Sequence, residues 1–274
     1  VPAAVAQAGT AMAPVAPVAP TAPKERFEVT TDVLKLTFDT EGGSLVRTEF
    51  LKYSDMADKT RNFVLLDDSK DRVYMAQTGV IAGAAGGAFP THKTPMAVTG
   101  ERVLKDGANE LVVKFTSPDV GGIKLVKTYT LRRGAYDATV KHELTNTSTA
   151  AIAPQLYLQL VRDGNKPAGE SSFYSTFTGP AVYTEAKKYQ KAEFSDIKKK
   201  NVDVEKQASN GYIAMVQHYF ASAWILPDGM QRNLSLDAVD IGASVPDCCY
   251  RATMIAPLEA IAPGATKVVD AKFF

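Results

Sequence analysis

Acid–base or nucleophilic chemistry needs a histidine, carboxylate or thiol with a partner that orients it. The candidates in this chain are few and scattered. Its three histidines are His92 in a loop segment, His142 on an alternating stretch and His218 inside a long apolar run. His142 and Glu143 adjoin, but on a strand neighbouring side chains point to opposite faces, so the two would not serve one site. Asp67-Asp68 reads as the end of a strand, and Asp237 and Asp240 lack the spacing of a metal-binding loop. None of the nucleophile-elbow, zinc-protease, deaminase, phosphate-loop or dinucleotide-binding patterns occurs. The segment IAGAAGGAFP, residues 81–90, is Gly/Ala-rich but lacks the Gly-Lys-Ser/Thr ending that would contact phosphate, so it reads as a plain loop. No catalytic, cofactor-binding or metal-binding residue is assigned.

Cys248 and Cys249 are the only cysteines, which excludes a disulfide framework and every multi-cysteine zinc motif. They read as two small residues alternating between strand faces ahead of Tyr250, with a strained vicinal disulfide as the alternative. With 31 Lys+Arg against 30 Asp+Glu, the net charge of +1 supplies no field toward nucleic acid or anionic partners. Lys198, Lys199 and Lys200 stand among local acids and read as a solvated face.

The elements that must position these residues are strands. The run NGYIAMVQHYFASAWILP, residues 210–227, holds the single tryptophan, Trp224. Turn signals bound it on both sides, so it reads as a core strand pair, Tyr212–Gln217 and Phe220–Leu226, with a helix as the competing reading. Gln217 and His218 at its centre make it too polar, and it is too short, for a bilayer span of ~20 apolar residues. Alternation marks a strand over 33–39 and, after the turn Glu41-Gly42-Gly43, a second over 44–50. Further strands are expected at 62–66, 73–80, 96–105, 110–116, 125–132, 138–144, 152–161, 176–184, 234–239, 240–245, 249–255 and 267–274. Their number and spacing predict one all-β domain over residues 25–274, a sandwich of mainly antiparallel sheets.

Two passages differ in texture. Residues 1–24 repeat Ala-Pro-Val and read as an extended polyproline-type tether, reaching ~70 Å at full stretch. Residues 187–201, KKYQKAEFSDIKKKN, are lysine-rich, with Tyr189, Phe194 and Ile197 isolated among charges, as in short helical turns pinned to a sheet. With Tyr183 these form a candidate partner-binding set: Tyr183, Tyr189, Phe194 and Ile197.

Residues 30–53, TTDVLKLTFDTEGGSLVRTEFLKY, and 210–227 resemble the large periplasmic domain of the YidC family of bacterial membrane protein insertases, and 127–146, KTYTLRRGAYDATVKHELTN, is similar to its middle strands. The resemblance implies a β-supersandwich of the galactose mutarotase type with short helices. It places the domain on the periplasmic face of the inner membrane, behind a membrane helix that the tether follows, with a helical linker into the insertase core coming after Phe274. It implies a non-catalytic docking or spacing role without cofactors. It also implies association with the translocon subunits SecD and SecF, partly through 176–225, while nascent membrane proteins are handled by a core these residues do not include. A carbohydrate-binding or aldose-epimerase-like domain is the alternative on the same fold.

Overall fold

The computed structural model describes residues 24–83, 86–167 and 176–274, so the proposed tether, apart from Lys24, lies outside the described residues. Ten strands form before the first long change of texture: β1 (Arg26–Thr30), β2 (Leu34–Asp39), β3 (Ser44–Ser54), β4 (Asn62–Asp67), β5 (Tyr74–Ala82), β6 (Ala97–Gly100), β7 (Glu110–Thr116), β8 (Ile123–Arg132), β9 (Ala138–Asn146) and β10 (Pro154–Arg162). After it come β11 (Thr178–Thr184), β12 (Lys188–Lys191), α1 (Phe194–Lys198), β13 (Gln207–Ala208), β14 (Tyr212–Gln217), β15 (Phe220–Ile225), β16 (Arg232–Ala238), β17 (Tyr250–Pro257) and β18 (Thr266–Phe273).

Two nine-stranded sheets result, and the pairings between strands are antiparallel. The first runs β1-β2-β3-β5-β10-β17-β16-β13, with β4 beside β3; the second runs β12-β11-β14-β15-β18-β9-β8-β7-β6. Between them lies one apolar core, filled from the first sheet by residues such as Phe38, Leu158 and Met254 and from the second by Phe115, Leu125, Ile213 and Trp224. The expected all-β supersandwich is the fold observed.

The alternating strands fold as their patterns require. On β8, Ile123, Leu125, Lys127, Tyr129 and Leu131 are buried while the residues alternating with them are not, the signature of a sheet with one face on the core. On β10 the burial is nearly continuous, because the loop 239–249 covers part of the opposite face through a small cluster of Met75, Val161, Val245 and Cys249. The turn after β2 needs its glycines: a Cβ on Gly42, at φ 72°, would stand 2.3 Å from the His92 carbonyl oxygen.

Three expectations are corrected. Residues 240–245 are a loop, because the Asp240 carboxylate accepts the Gly242 N–H and Gly242 takes φ 71°, which turns the chain. The strand expected over 96–105 stops at Gly100, which sits at φ 120° against the Val112 carbonyl. His218 lies where the expected strand pair leaves it, in the two-residue turn between β14 and β15, at φ 44°. Cys248 and Cys249 precede β17 instead of alternating along it, and their sulfurs pair as a vicinal disulfide.

Candidate functional site

The outer face of the first sheet carries a cleft of about 480 Å³, walled on one side by residues 239–243. Register builds its floor. Gln77, Gln159 and Thr253 lie opposite one another across β5, β10 and β17, and Met75, Val161 and Arg251 form the next row. The Gln159 amide donates to the Gln77 side-chain oxygen at 2.8 Å, and Arg251 grips Asp237 through Nε and a terminal nitrogen.

His92 stands at the cleft's edge. Its backbone N–H donates to the Tyr157 hydroxyl at 2.9 Å, and its Nδ1 lies 2.6 Å from the same oxygen. A hydroxyl that accepts the backbone N–H has its own proton free for Nδ1, which leaves a neutral imidazole. Burial, helped by the nearby Lys127 charge, pulls the His92 pKa down to about 4. Gly79 makes the contact feasible, since a Cβ there would meet the Tyr157 hydroxyl at 2.4 Å. A glycine in mid-strand is the one sequence signal that would have located this approach.

Three of the cleft's four carboxylates are engaged by cations, and the fourth, Asp240, accepts the Gly242 N–H. Asp39 is met by Arg26 at 3.3 Å and Lys24 at 3.6 Å and accepts the Glu41 N–H; Glu41 is met by Lys24 at 2.8 Å; Asp68 is bound by Arg26. A general base is most useful with its lone pairs aimed at substrate, and these three are aimed at cations. The lining includes no Phe, Tyr or Trp ring of the kind on which sugar faces stack.

The remaining histidines are elsewhere. His142 is fully buried between the sheets, its Nε2 2.9 Å from the Thr78 hydroxyl, and burial holds its pKa down to about 3. The carbonyl of the same Thr78 accepts from Lys127, which also donates to the Gly42 carbonyl, each at 2.6 Å. Burial lowers the Lys127 pKa to about 7. This string ties β8 and β9 to β5 and the β2–β3 turn. Sequence reasoning passed over Lys127, which alternation placed beside buried neighbours without naming its partners. His218, in its turn, bonds the Thr176 hydroxyl at 3.0 Å.

The four residues expected to bind a partner divide. Phe194 and Ile197, spaced to share one helical face, drive α1 into the core, where the Phe194 ring packs 4.5 Å from that of Tyr250. They are not surface anchors. Tyr189 and Tyr183 do face outward, in register across β12 and β11, and Tyr212 of β14 continues the row with its ring stacked 5.3 Å from Tyr183. Tyr189 is 46% exposed. Lys187, Lys188 and Lys191 surround it on the outermost strand and its turn. Tyr212 was not foreseen as a member of this row.

Architecture of this kind is that of the galactose mutarotase class. A galactose mutarotase related enzyme from Lactobacillus acidophilus superposes with a TM-score of 0.54 over 91% of this chain and 96% of that one, at 7% identity. A putative aldose 1-epimerase from Escherichia coli K12 gives 0.51 over 92% and 98%, at 10% identity. Those likenesses show the fold alone. Sequence supplies the family: the family model for the YidC periplasmic domain matches residues 26–274, and the chain belongs to that family. The membrane protein insertase YidC of Bordetella parapertussis is 49% identical over 90% of this chain, and that of Cupriavidus necator 45% identical over 97%. The chain spans less than half the length of these relatives, 42% and 46%. Among the described residues no helix is long and apolar enough to cross a membrane.

Proposed function

We propose that this domain is a non-catalytic docking and spacing module of an inner-membrane protein insertase, holding the insertase beside the translocon through SecD and SecF while the membrane-embedded part of the parent handles substrates. The observation that carries the reading is the outward row Tyr189–Tyr183–Tyr212 among the lysines of the outermost strands. Aromatic side chains inside a polar rim are the usual anchors of non-obligate association, and a few of them carry most of its energy. The cleft supports the non-catalytic half of the reading, because its histidine is held neutral against Tyr157 and three of its four carboxylates face cations.

The test is a double substitution, Tyr183→Ala with Tyr189→Ala, in the full-length parent. Co-purification with SecD and SecF should fall while insertion of simple substrates continues. Unchanged co-purification by a folded variant would move docking to another surface, and failed insertion would overturn the division of labour. The carbohydrate reading keeps one foothold, the amide pair Gln77–Gln159 on the cleft floor. Titration calorimetry with monosaccharides, comparing the parent chain with Gln159→Ala, decides it; the docking reading expects no heat from either.

A further inference from the structure

At one end of the first sheet, the outer edge of β16 is only partly taken. β13 pairs with it at Gln207–Asn233 and Ala208–Arg232, and one more bond follows, from the Leu234 N–H to the Lys206 carbonyl at 2.8 Å. There the neighbouring chain is drawn off. Gln190 of β12, in the other sheet, donates to the Asp203 carbonyl at 3.4 Å and accepts the Glu205 N–H at 3.1 Å, while the Lys206 N–H turns to the Glu205 carboxylate. Between the diverging chain and β16 lies a groove of about 610 Å³, with Val202, Val204, Leu234 and Leu236 among its walls.

Register shows which groups face the groove. Val239 and Cys249 exchange both backbone bonds, so the odd-numbered residues of β16 bond to β17 and the even-numbered ones point their N–H and carbonyl outward. The Leu234 carbonyl, and the N–H and carbonyl of both Leu236 and Ala238, therefore face the edge, and none of them is hydrogen-bonded among the described residues. Sheets commonly guard such edges with lysine or proline. β12, the outermost strand of the other sheet, carries Lys188 and Lys191, whereas residues 234–238 hold neither type, and their one charge, Asp237, is gripped by Arg251. An open ladder specifies its occupant. Only an extended backbone offers donors and acceptors at the repeat of a strand, and an apolar groove alongside selects side chains at alternate positions.

We propose that the edge of β16 is a strand-addition site: an extended segment of another polypeptide, with branched apolar side chains at alternate positions, pairs antiparallel with residues 234–238. Its apolar side chains lie against Val204 and Leu236. Cross-strand partners share a face, so the apolar residues of the guest are also those whose N–H groups meet β16. The site is separate from the Tyr189–Tyr183–Tyr212 row and acts whether or not that row docks a partner.

The experiment is fluorescence anisotropy of a labelled hexapeptide of alternating valine and threonine, titrated with the 274-residue chain. Binding should saturate. N-methylation of the valines should lower affinity at least about tenfold, and N-methylation of the threonines should change it by less than about twofold, because only the first removes donors that meet β16. On the protein, Leu236→Pro deletes an outward donor without breaking a bond of the fold and should cost about tenfold, whereas Leu236→Ala, which keeps the donor, should cost less. Thermal melts check that both variants fold, and the methylated peptides decide the matter on the parent chain if Leu236→Pro does not. Tyr183→Ala with Tyr189→Ala should leave binding unaltered. Absence of binding, equal loss from valine and threonine methylation, or loss with the tyrosine pair would each overturn the proposal. So would a dimer of the parent, seen by sedimentation velocity, that Leu236→Pro abolishes, because a second copy would then hold the edge.

Discussion

The indole Nε1–H of Trp224, on β15, donates to the backbone carbonyl of Gln159, on β10, at 3.1 Å. This bond crosses from one sheet to the other at a side chain with no solvent exposure, and the indole also packs 4.8 Å from the Phe273 ring. Trp224→Ala should cost about 3–5 kcal/mol, as large-to-small core changes do. Trp224→Phe should cost less, since it keeps an aromatic core contact and forfeits the hydrogen bond, worth about 1–3 kcal/mol when a buried acceptor is stranded. Denaturant unfolding of both variants measures the difference, and the parent's blue-shifted emission reports the burial.

Arg232 makes a second firm prediction. Its guanidinium is buried and donates to the carbonyls of Met230, Gly211, Leu226, Ser209 and Pro227, thereby closing the turns on either side of the β14–β15 hairpin. Arg232→Lys supplies fewer donors in the wrong geometry and should destabilise despite keeping the charge. Thermal melts should place Arg232→Lys well below the parent, and Arg232→Ala lower still.

Acid should loosen the fold through its histidines. His142 titrates near 3 in the folded chain instead of its ordinary 6.5, because burial disfavours the imidazolium. Between those values the unfolded chain binds the extra proton, so stability is full above about pH 6.5 and falls as pH drops toward 3, by up to ~1.4 kcal/mol per pH unit for this one group. His92, drawn down to about 4, adds in the same direction. Urea midpoints measured from pH 7 to 4 should decline less steeply in His142→Gln than in the parent.

Phe194 and Tyr189 lie five residues apart and should behave oppositely. Phe194→Ala removes a core ring and should cost about 3–4 kcal/mol, whereas Tyr189→Ala, at an exposed position, should change stability by no more than ~0.5 kcal/mol. Chemical denaturation separates them, and the result decides which substitution is admissible as a probe of docking.

Why some of this was legible in the sequence and some was not follows from where the information resides. Strands such as β8 and β9 are buried on one face only, so period-two alternation marks them, and Gly134, at φ 72°, marks the turn between them as Gly42 and Gly43 mark that between β2 and β3. The pair around Trp224 was legible for its flanking turns. Nothing local distinguishes a buried apolar residue in a five-residue helix from an exposed one, so Phe194 and Ile197 were misplaced. Likewise the contact between His92 and Tyr157 spans 65 positions, and that between Lys127 and Gly42 spans 85. Such partners are fixed by strand order, and strand order is a property of the assembled sheets.

That order has a consequence for how the domain comes into being. In the second sheet, β18 lies between β15 and β9, joining the block β12-β11-β14-β15 to the block β9-β8-β7-β6. Its register with β15 is confined to Trp224 opposite Phe273 and Ile225 opposite Lys272, continued by the backbone bonds between Ala223 and Phe274. A chain emerging from its amino-terminal end therefore carries two unjoined half-sheets until residues 266–274 are free to insert, and the joining of the second sheet waits on β18.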